Sequence, residues 1–299
     1  MPSPKFTPQM TVRQFEKLFP TDDACKSYLV SRRWPDGIRC ARCGNEDVYP
    51  VANKPFHWQC SKCAKAGGYR FSVTAKTIFD NTKIGLKTWF KVIYLMLISK
   101  KGISSLQIHR MMGFGSYSTA LYMCHRVRAG LADPEFRKLV GIVEVDETYI
   151  GGKNKNRHAD KRTPGTGASG KEIVVGAVER QGNVVARVIA HANTATLNAF
   201  VRQAISEKVS LIASDENKAY DPLSEIFNHQ TVNHSAGQYV NGAVHTATID
   251  GFWSLLKRGI MGSYHKVSRK YLPLYVAEFE WRYNNRNNPD IFGAAIGRC

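Results

Sequence analysis

Residues 139–150 read LVGIVEVDETYI, with apolar and β-branched side chains alternating with polar ones at the period of two expected of a half-buried strand. Asp146 falls inside it. Working outward, EIVVGAVER (172–180) and NVVARVIA (183–190) form a hairpin around Gln181 and Gly182. TATLNAFVRQAI (194–205) carries an amphipathic helical pattern, and VSLIASD (209–215) is a buried strand that delivers Asp215 at its end. Strand, strand, strand, helix, strand is the opening of a ribonuclease-H-like domain. The expected fold class is therefore α/β, with a mixed sheet flanked by helices that sets the first and fourth strands, and hence Asp146 and Asp215, side by side.

A third carboxylate comes from HTATIDGFWSLLKRG (245–259). With a 100° step per residue, Ile249, Phe252, Trp253, Leu255 and Leu256 fall on one side, and Asp250, Ser254, Lys257 and Arg258 on the other. Such a helix packs its apolar stripe on the sheet and turns a carboxylate plus cations toward one place. Asp146, Asp215 and Asp250 are accordingly the candidate ligands for Mg2+ or Mn2+, two ions of which can drive phosphodiester chemistry. Lys257 and Arg258 are the candidate phosphate-holding cations. Alternation places Glu144 on the face of Asp146, as an accessory candidate, and Glu147 on the other face, at the surface. His245, five residues before Asp250, is a candidate DNA or metal contact. The intervening segment 151–171, GGKNKNRHADKRTPGTGASGK, has six Lys/Arg against one acid and is expected to be mobile until it meets phosphate.

The chain carries 42 Lys+Arg against 24 Asp+Glu, a formal charge of +18, so a polyanion is the expected partner. Its amino terminus lacks the apolar core of a signal peptide, and the apolar run 92–98 is too short to span a bilayer; a soluble, cytoplasmic protein with no membrane partner is expected. Of seven cysteines, four fall as CARC (Cys40, Cys43) and CSKC (Cys60, Cys63) with sixteen residues between the pairs. Two such knuckles close a tetrahedral thiolate site around one structural Zn2+, and the strand–turn–strand character between them is that of a zinc ribbon. Thr11 reads as the N-cap of a first helix and Asp22 or Asp23 as that of a second. TWFKVIYLMLISK (88–100), SSLQIHRMMG (104–113) and SYSTALYMCHRVRAG (116–130) are helical by period and punctuated by Ser and Gly, which points to helix-turn-helix. In that arrangement the last helix presents Tyr117, Ser118, His125, Arg126 and Arg128 to DNA.

Neither a GxSxG elbow nor a P-loop is present, so hydrolase-triad and nucleoside-triphosphatase readings lack support. Taken together, WPDGIRCARCG, CSKC, GISSLQIHRMMG, VEVDETYIGGK, HTATIDGFWSLLKRGIMGSYHKVS and YVAEFEWRYNNR resemble bacterial insertion-sequence transposases of the ISXO type over nearly the whole chain. The resemblance implies a helical entry segment (1–33), a zinc ribbon (34–84), a helix-turn-helix region (85–138) and a ribonuclease-H-like DDE domain (139–299). It implies a nucleoid-associated bacterial enzyme that cuts double-stranded DNA at element ends and joins it to target DNA, as a homo-oligomer on that DNA. The family aspartates fall on Asp146 and Asp215. Its third position, usually glutamate, is Asp250 here, one methylene shorter. Two other readings accompany this one: a transposase-derived DNA-binding protein without catalysis, and a structure-selective nuclease.

Overall fold

A computed structural model describes residues 10–63, 69–152, 158, 160, 170–232 and 245–299. Most of the basic segment 151–171 lies outside these residues. Two compact units emerge, one of residues 1–131 with 287–299, the other of 132–286. The return of the carboxyl terminus to the first unit corrects the expected boundary at 299. Helix α9 (Ile291–Arg298) brings Phe292 among the rings of Phe15, Phe19, Tyr28 and Phe90, an apolar burial that its short sequence does not announce.

In the first unit, α1 (Val12–Leu18) opens on a capping box between Thr11 and Gln14. Helix α2 (Asp22–Arg33) is capped by Thr21, whose hydroxyl accepts from Ala24 N, and not by Asp22 or Asp23; those two acids occupy the first turn, where they complement the helix dipole. Strands β1 (Val48–Pro50), β2 (His57–Cys60) and β3 (Tyr69–Ser72) form an antiparallel sheet; β1 and β2 are the strands expected between the cysteine pairs, and β3 adds a third beyond them. Trp34, Trp58 and Phe71 pack together on it. Helices α3 (Leu86–Ile98), α4 (Ser105–Met112) and α5 (Tyr117–Leu131) follow. Ser104 caps α4, and Gly113, at φ 64°, ends it in the left-handed conformation that glycine adopts without strain.

The second unit is built on a five-stranded sheet of order β6-β5-β4-β7-β8. Strands β4 (Ile142–Ile150), β5 (Glu172–Glu179) and β6 (Val184–Ile189) pair antiparallel. After α6 (Thr194–Ala204), β7 (Leu211–Asp215) pairs parallel with β4, and β8 (His229–Val232) parallel with β7. This is the ribonuclease-H-like order read from the sequence. Val143, Val145, Val175, Ala177, Val185 and Ile212 face α6. The opposite face, with Val174, Val178, Val184 and Ala186, is covered by α7 (Ala247–Gly259) and α8 (Leu272–Asn284). Among the described residues no helix is long and apolar enough to cross a membrane.

Candidate active site and metal centre

The alternation that builds the sheet also sorts its carboxylates. Val143 and Val145 point toward α6, so Glu144 and Asp146 point toward α7. On β7, Ile212 points toward α6 while Leu211 and Ala213 pack with Ile142 on the other side, so Asp215 shares the face of Asp146. Glu144 pairs with Ala213 in the β4–β7 ladder; two residues further along both strands stand Asp146 and Asp215. Burial first, then the negative charges of Asp215 and Glu147, push the Asp146 carboxyl up to about 7, against the pull of the Trp253 N–H. Asp146 lies in the interior of β4, which continues to Ile150.

Helix α7 carries the third candidate. Ile249, Phe252, Trp253 and Leu256 are buried and Asp250, Ser254, Lys257 and Arg258 exposed, the division expected from the helical period. Trp253 Nε1 donates to Asp146 Oδ2 at 2.9 Å. Gly176, opposite Asp146 in the ladder, makes room for this: a Cβ there would stand 2.6 Å from Trp253 Cη2. Lys257 lines a cavity of about 440 Å³ together with Tyr149, Ile260, Lys266 and Arg269, while Arg258 Nε folds back to the Ser254 carbonyl at 3.1 Å. His245 is turned inward: its Nδ1 is 3.2 Å from Glu144 Oε1 and its carbonyl accepts from Arg180 Nη2 at 3.0 Å.

Glu147 departs from the surface position expected of it. Its oxygens accept from Asn217 Nδ2 and Tyr220 Oη, both at 2.7 Å, which ties the segment after Asp215 to β4. Asn217 N in turn donates to Asp215 Oδ1 at 3.2 Å. Alternation finds the face of Glu147 but not these partners, which come from a 3-10 segment (Lys218–Glu225) and its N-cap whose fold depends on tertiary packing. Among the described residues, the three aspartates do not form a group with mutually close ligand atoms. The cysteines do.

Cys40, Cys43, Cys60 and Cys63 place their sulfur atoms within 4.8 Å of one another, with Cys43 and Cys60 Sγ 3.7 Å apart. Arg42 N and Cys63 N donate to the sulfurs of Cys40 and Cys60, each at 3.4 Å. Burial works against a Cys60 thiolate, yet the Cys63 N–H and the neighbouring thiols hold Cys60 down at about 7. Four soft donors so grouped, with backbone N–H groups to receive their charge, fit a structural zinc.

On α5, the structure corrects one expectation. Arg128 is fully buried, because it continues the inward stripe of Ala120, Cys124, Val127 and Leu131 at a spacing of three and four residues. It cannot face DNA. Tyr117 and Ser118 are exposed, His125 and Arg126 partly so; Arg126 Nη1 donates to Tyr122 Oη at 2.6 Å.

Profiles of known families match two parts of the chain: the ISXO2-like transposase domain over residues 138–284, and the transposase zinc-ribbon domain over 20–66. An uncharacterized protein in transposable element ISH50 of Halobacterium salinarum is 26% identical over 287 residues, 89% of this chain and 92% of that protein. An uncharacterized transposase-like protein of Haemophilus influenzae is 30% identical over 104 residues, 33% of this chain and 78% of that one. Solved structures with some likeness include a simian T-cell lymphotropic virus intasome in complex with a PP2A regulatory subunit, at 14% identity, TM-score 0.28, 59% of this chain and 65% of that one. Another is a pre-cleavage Mos1 transpososome, at 13%, 0.26, 68% and 76%. On the two domain matches and the relatives from Halobacterium and Haemophilus, the chain belongs to the ISXO2-like transposase family.

Proposed function

We infer that this protein cleaves DNA at the ends of an insertion sequence and joins the freed ends to target DNA, in a magnesium-dependent reaction on the α7 face of the second unit. The observation that carries this reading is the placement of Asp146 and Asp215 on one face of the adjacent strands β4 and β7, each two residues beyond the Glu144–Ala213 pair, with the Asp146 carboxyl pushed up to about 7 by burial and by its acidic neighbours. Like charges crowded in this way are relieved by a shared cation, and their hard oxygens suit Mg2+ or Mn2+. Asp146 and Asp215 would hold the metal, with Asp250 reaching it from the first turn of α7. Magnesium bound there would supply the positive charge that activates an attacking oxygen and stabilises a leaving oxygen in two-ion phosphodiester chemistry.

The chain's own groups then have defined tasks. Trp253 holds one oxygen of Asp146 and so orients the other. Lys257 and Arg258, exposed on the side of α7 that carries Asp250, hold the phosphates flanking the reacting one. Because water, and then the freed 3′-hydroxyl, attacks the phosphorus directly, no protein–DNA bond forms. In the first unit the exposed part of α5, with Tyr117, Ser118 and Arg126, would read the element ends. The excess of 42 − 24 = 18 positive charges supplies the sequence-independent affinity. Several chains acting on paired ends would form the working complex. The test is strand transfer by purified protein on DNA carrying the element ends. Mg2+-dependent cleaved and joined products that vanish in Asp146→Asn and Asp215→Asn are expected. Binding with no cleavage would leave a DNA-binding remnant of a transposase, and cleavage with no joining a nuclease.

A further inference from the structure

Helix α7 starts without a local cap. The Thr246 side chain makes no cap bond, although the first-turn N–H groups of a helix have no partner within it. The missing acceptor comes from β4. Glu144, fully buried, accepts through Oε2 from Thr248 N at 2.7 Å and Ile249 N at 3.0 Å, and through Oε1 from Thr248 Oγ1 at 2.9 Å. Arg180 Nε donates to Oε1 at 2.7 Å. The same guanidinium binds the carbonyl of His245, which ties down the chain entering the helix.

We propose that Glu144 is a positioning residue that sets where Asp250 stands relative to Asp146. The inference rests on the reading of those two aspartates as metal carboxylates, and gives that site its alignment. Glu144 is two residues from Asp146 on the same strand face, and the amides it binds belong to the two residues immediately before Asp250. The second tie, Trp253 Nε1 to Asp146 Oδ2, lies three residues after Asp250. Asp250 is thus bracketed by two attachments to one strand, and a shift of the start of α7 away from Glu144 by about 1 Å would stretch these bonds beyond good hydrogen-bond geometry. A carboxylate buried this deeply is tolerated because it has charged and backbone donors and the positive end of a helix dipole around it. The sequence shows only a second acid near Asp146. Its role appears once α7 is docked.

Glu280 provides the control. It too is buried, and it binds Arg187 Nη1 at 2.9 Å and Ala186 N at 3.2 Å, fastening α8 to the β6 edge and not the start of α7. In the full-length zinc-loaded protein, Glu144→Gln should speed amide hydrogen exchange at Thr248 and Ile249 by about tenfold or more, and Glu280→Gln should leave those two amides unchanged. Mn2+ affinity, followed by the electron paramagnetic resonance of the free ion, should fall about 10- to 100-fold in Glu144→Gln, the range typical of lost ligand-supporting partners, with Glu280→Gln near wild type. Glu144→Asp keeps the charge and should recover part of both losses, and it provides the measurement if Glu144→Gln does not fold. Unchanged exchange at Thr248 and Ile249, or equal Mn2+ affinity in Glu144→Gln and Glu280→Gln, would overturn the proposal. Wild-type protein that takes up no Mn2+ would instead overturn the metal-site reading. The two failures are distinct, because the exchange comparison needs no metal.

Discussion

Replacing Asp146 with asparagine should stabilise the protein while abolishing its chemistry. The change removes one negative charge and keeps an oxygen for Trp253 Nε1. Raising a carboxyl from its ordinary 3.8 to about 7 corresponds to roughly 4 kcal/mol at about 1.36 kcal/mol per pKa unit. Asp146 is half-buried, and solvent screening brings the expected figure down to about 1–3 kcal/mol. The sign follows from proton linkage: the folded protein keeps this proton to higher pH than the unfolded chain, so stability falls as pH rises from about 4 and levels off above about 7. In magnesium-free buffer at pH 8, Asp146→Asn should therefore exceed wild type by about 1–3 kcal/mol, an advantage that shrinks toward zero near pH 4. Because the chain has two units, the comparison is best read from denaturant-dependent hydrogen exchange of β4 and β5, which reports the second unit by itself. Added Mg2+ should stabilise wild type and leave the variant unmoved. A variant less stable than wild type at pH 8, or a difference independent of pH, would show that the Asp146 charge does not destabilise the fold.

Gly176→Ala brings a Cβ to 2.6 Å from Trp253 Cη2 and should cost about 1–3 kcal/mol by overpacking, with loss of the Trp253–Asp146 bond visible as a shifted indole N–H resonance. Purified protein should contain about one zinc per chain, and Cys60→Ser should release it and unfold the ribbon, measured by metal analysis and amide exchange of β1 to β3. Arg126→Ala should weaken DNA binding and lower the dependence of log affinity on log salt by about one, with the melting temperature unchanged. Arg128→Ala should lower the melting temperature by leaving a cavity in the α5 core; equal effects of the two on DNA binding at full stability would contradict their assigned positions.

The sheet was legible because alternation and length mark β4 to β7 without reference to the rest of the chain, and the zinc site because two CxxC pairs constrain geometry locally. The helical period likewise placed Asp250, Lys257 and Arg258 on the exposed side of α7. Other residues depend on what a segment packs against. Arg128 is charged and next to Arg126 in sequence spacing, yet α5 buries it, since three- and four-residue steps from Ala120 and Cys124 arrive at its position. Asn217 and Tyr220 reach Glu147 only after β7 has paired with β4, and Glu144 caps α7 across a sequence separation of 104 residues. The carboxyl-terminal helix fills the aromatic core of the first unit through Phe292, a pairing across nearly the full chain that no local pattern encodes.

On the proposed reading Asp146, Asp215 and Asp250 act as one metal-binding set on DNA, and Asp250, exposed on α7, is its most exacting member. The measurement is cleavage and joining of element-end DNA in Mg2+ by Asp250→Asn, beside the affinity of the same protein for that DNA. Both reaction steps should be lost while DNA affinity stays within about twofold of wild type, since removing the carboxylate removes metal charge stabilisation and not phosphate contacts. Undiminished cleavage and joining by Asp250→Asn would remove Asp250 from the metal-binding set.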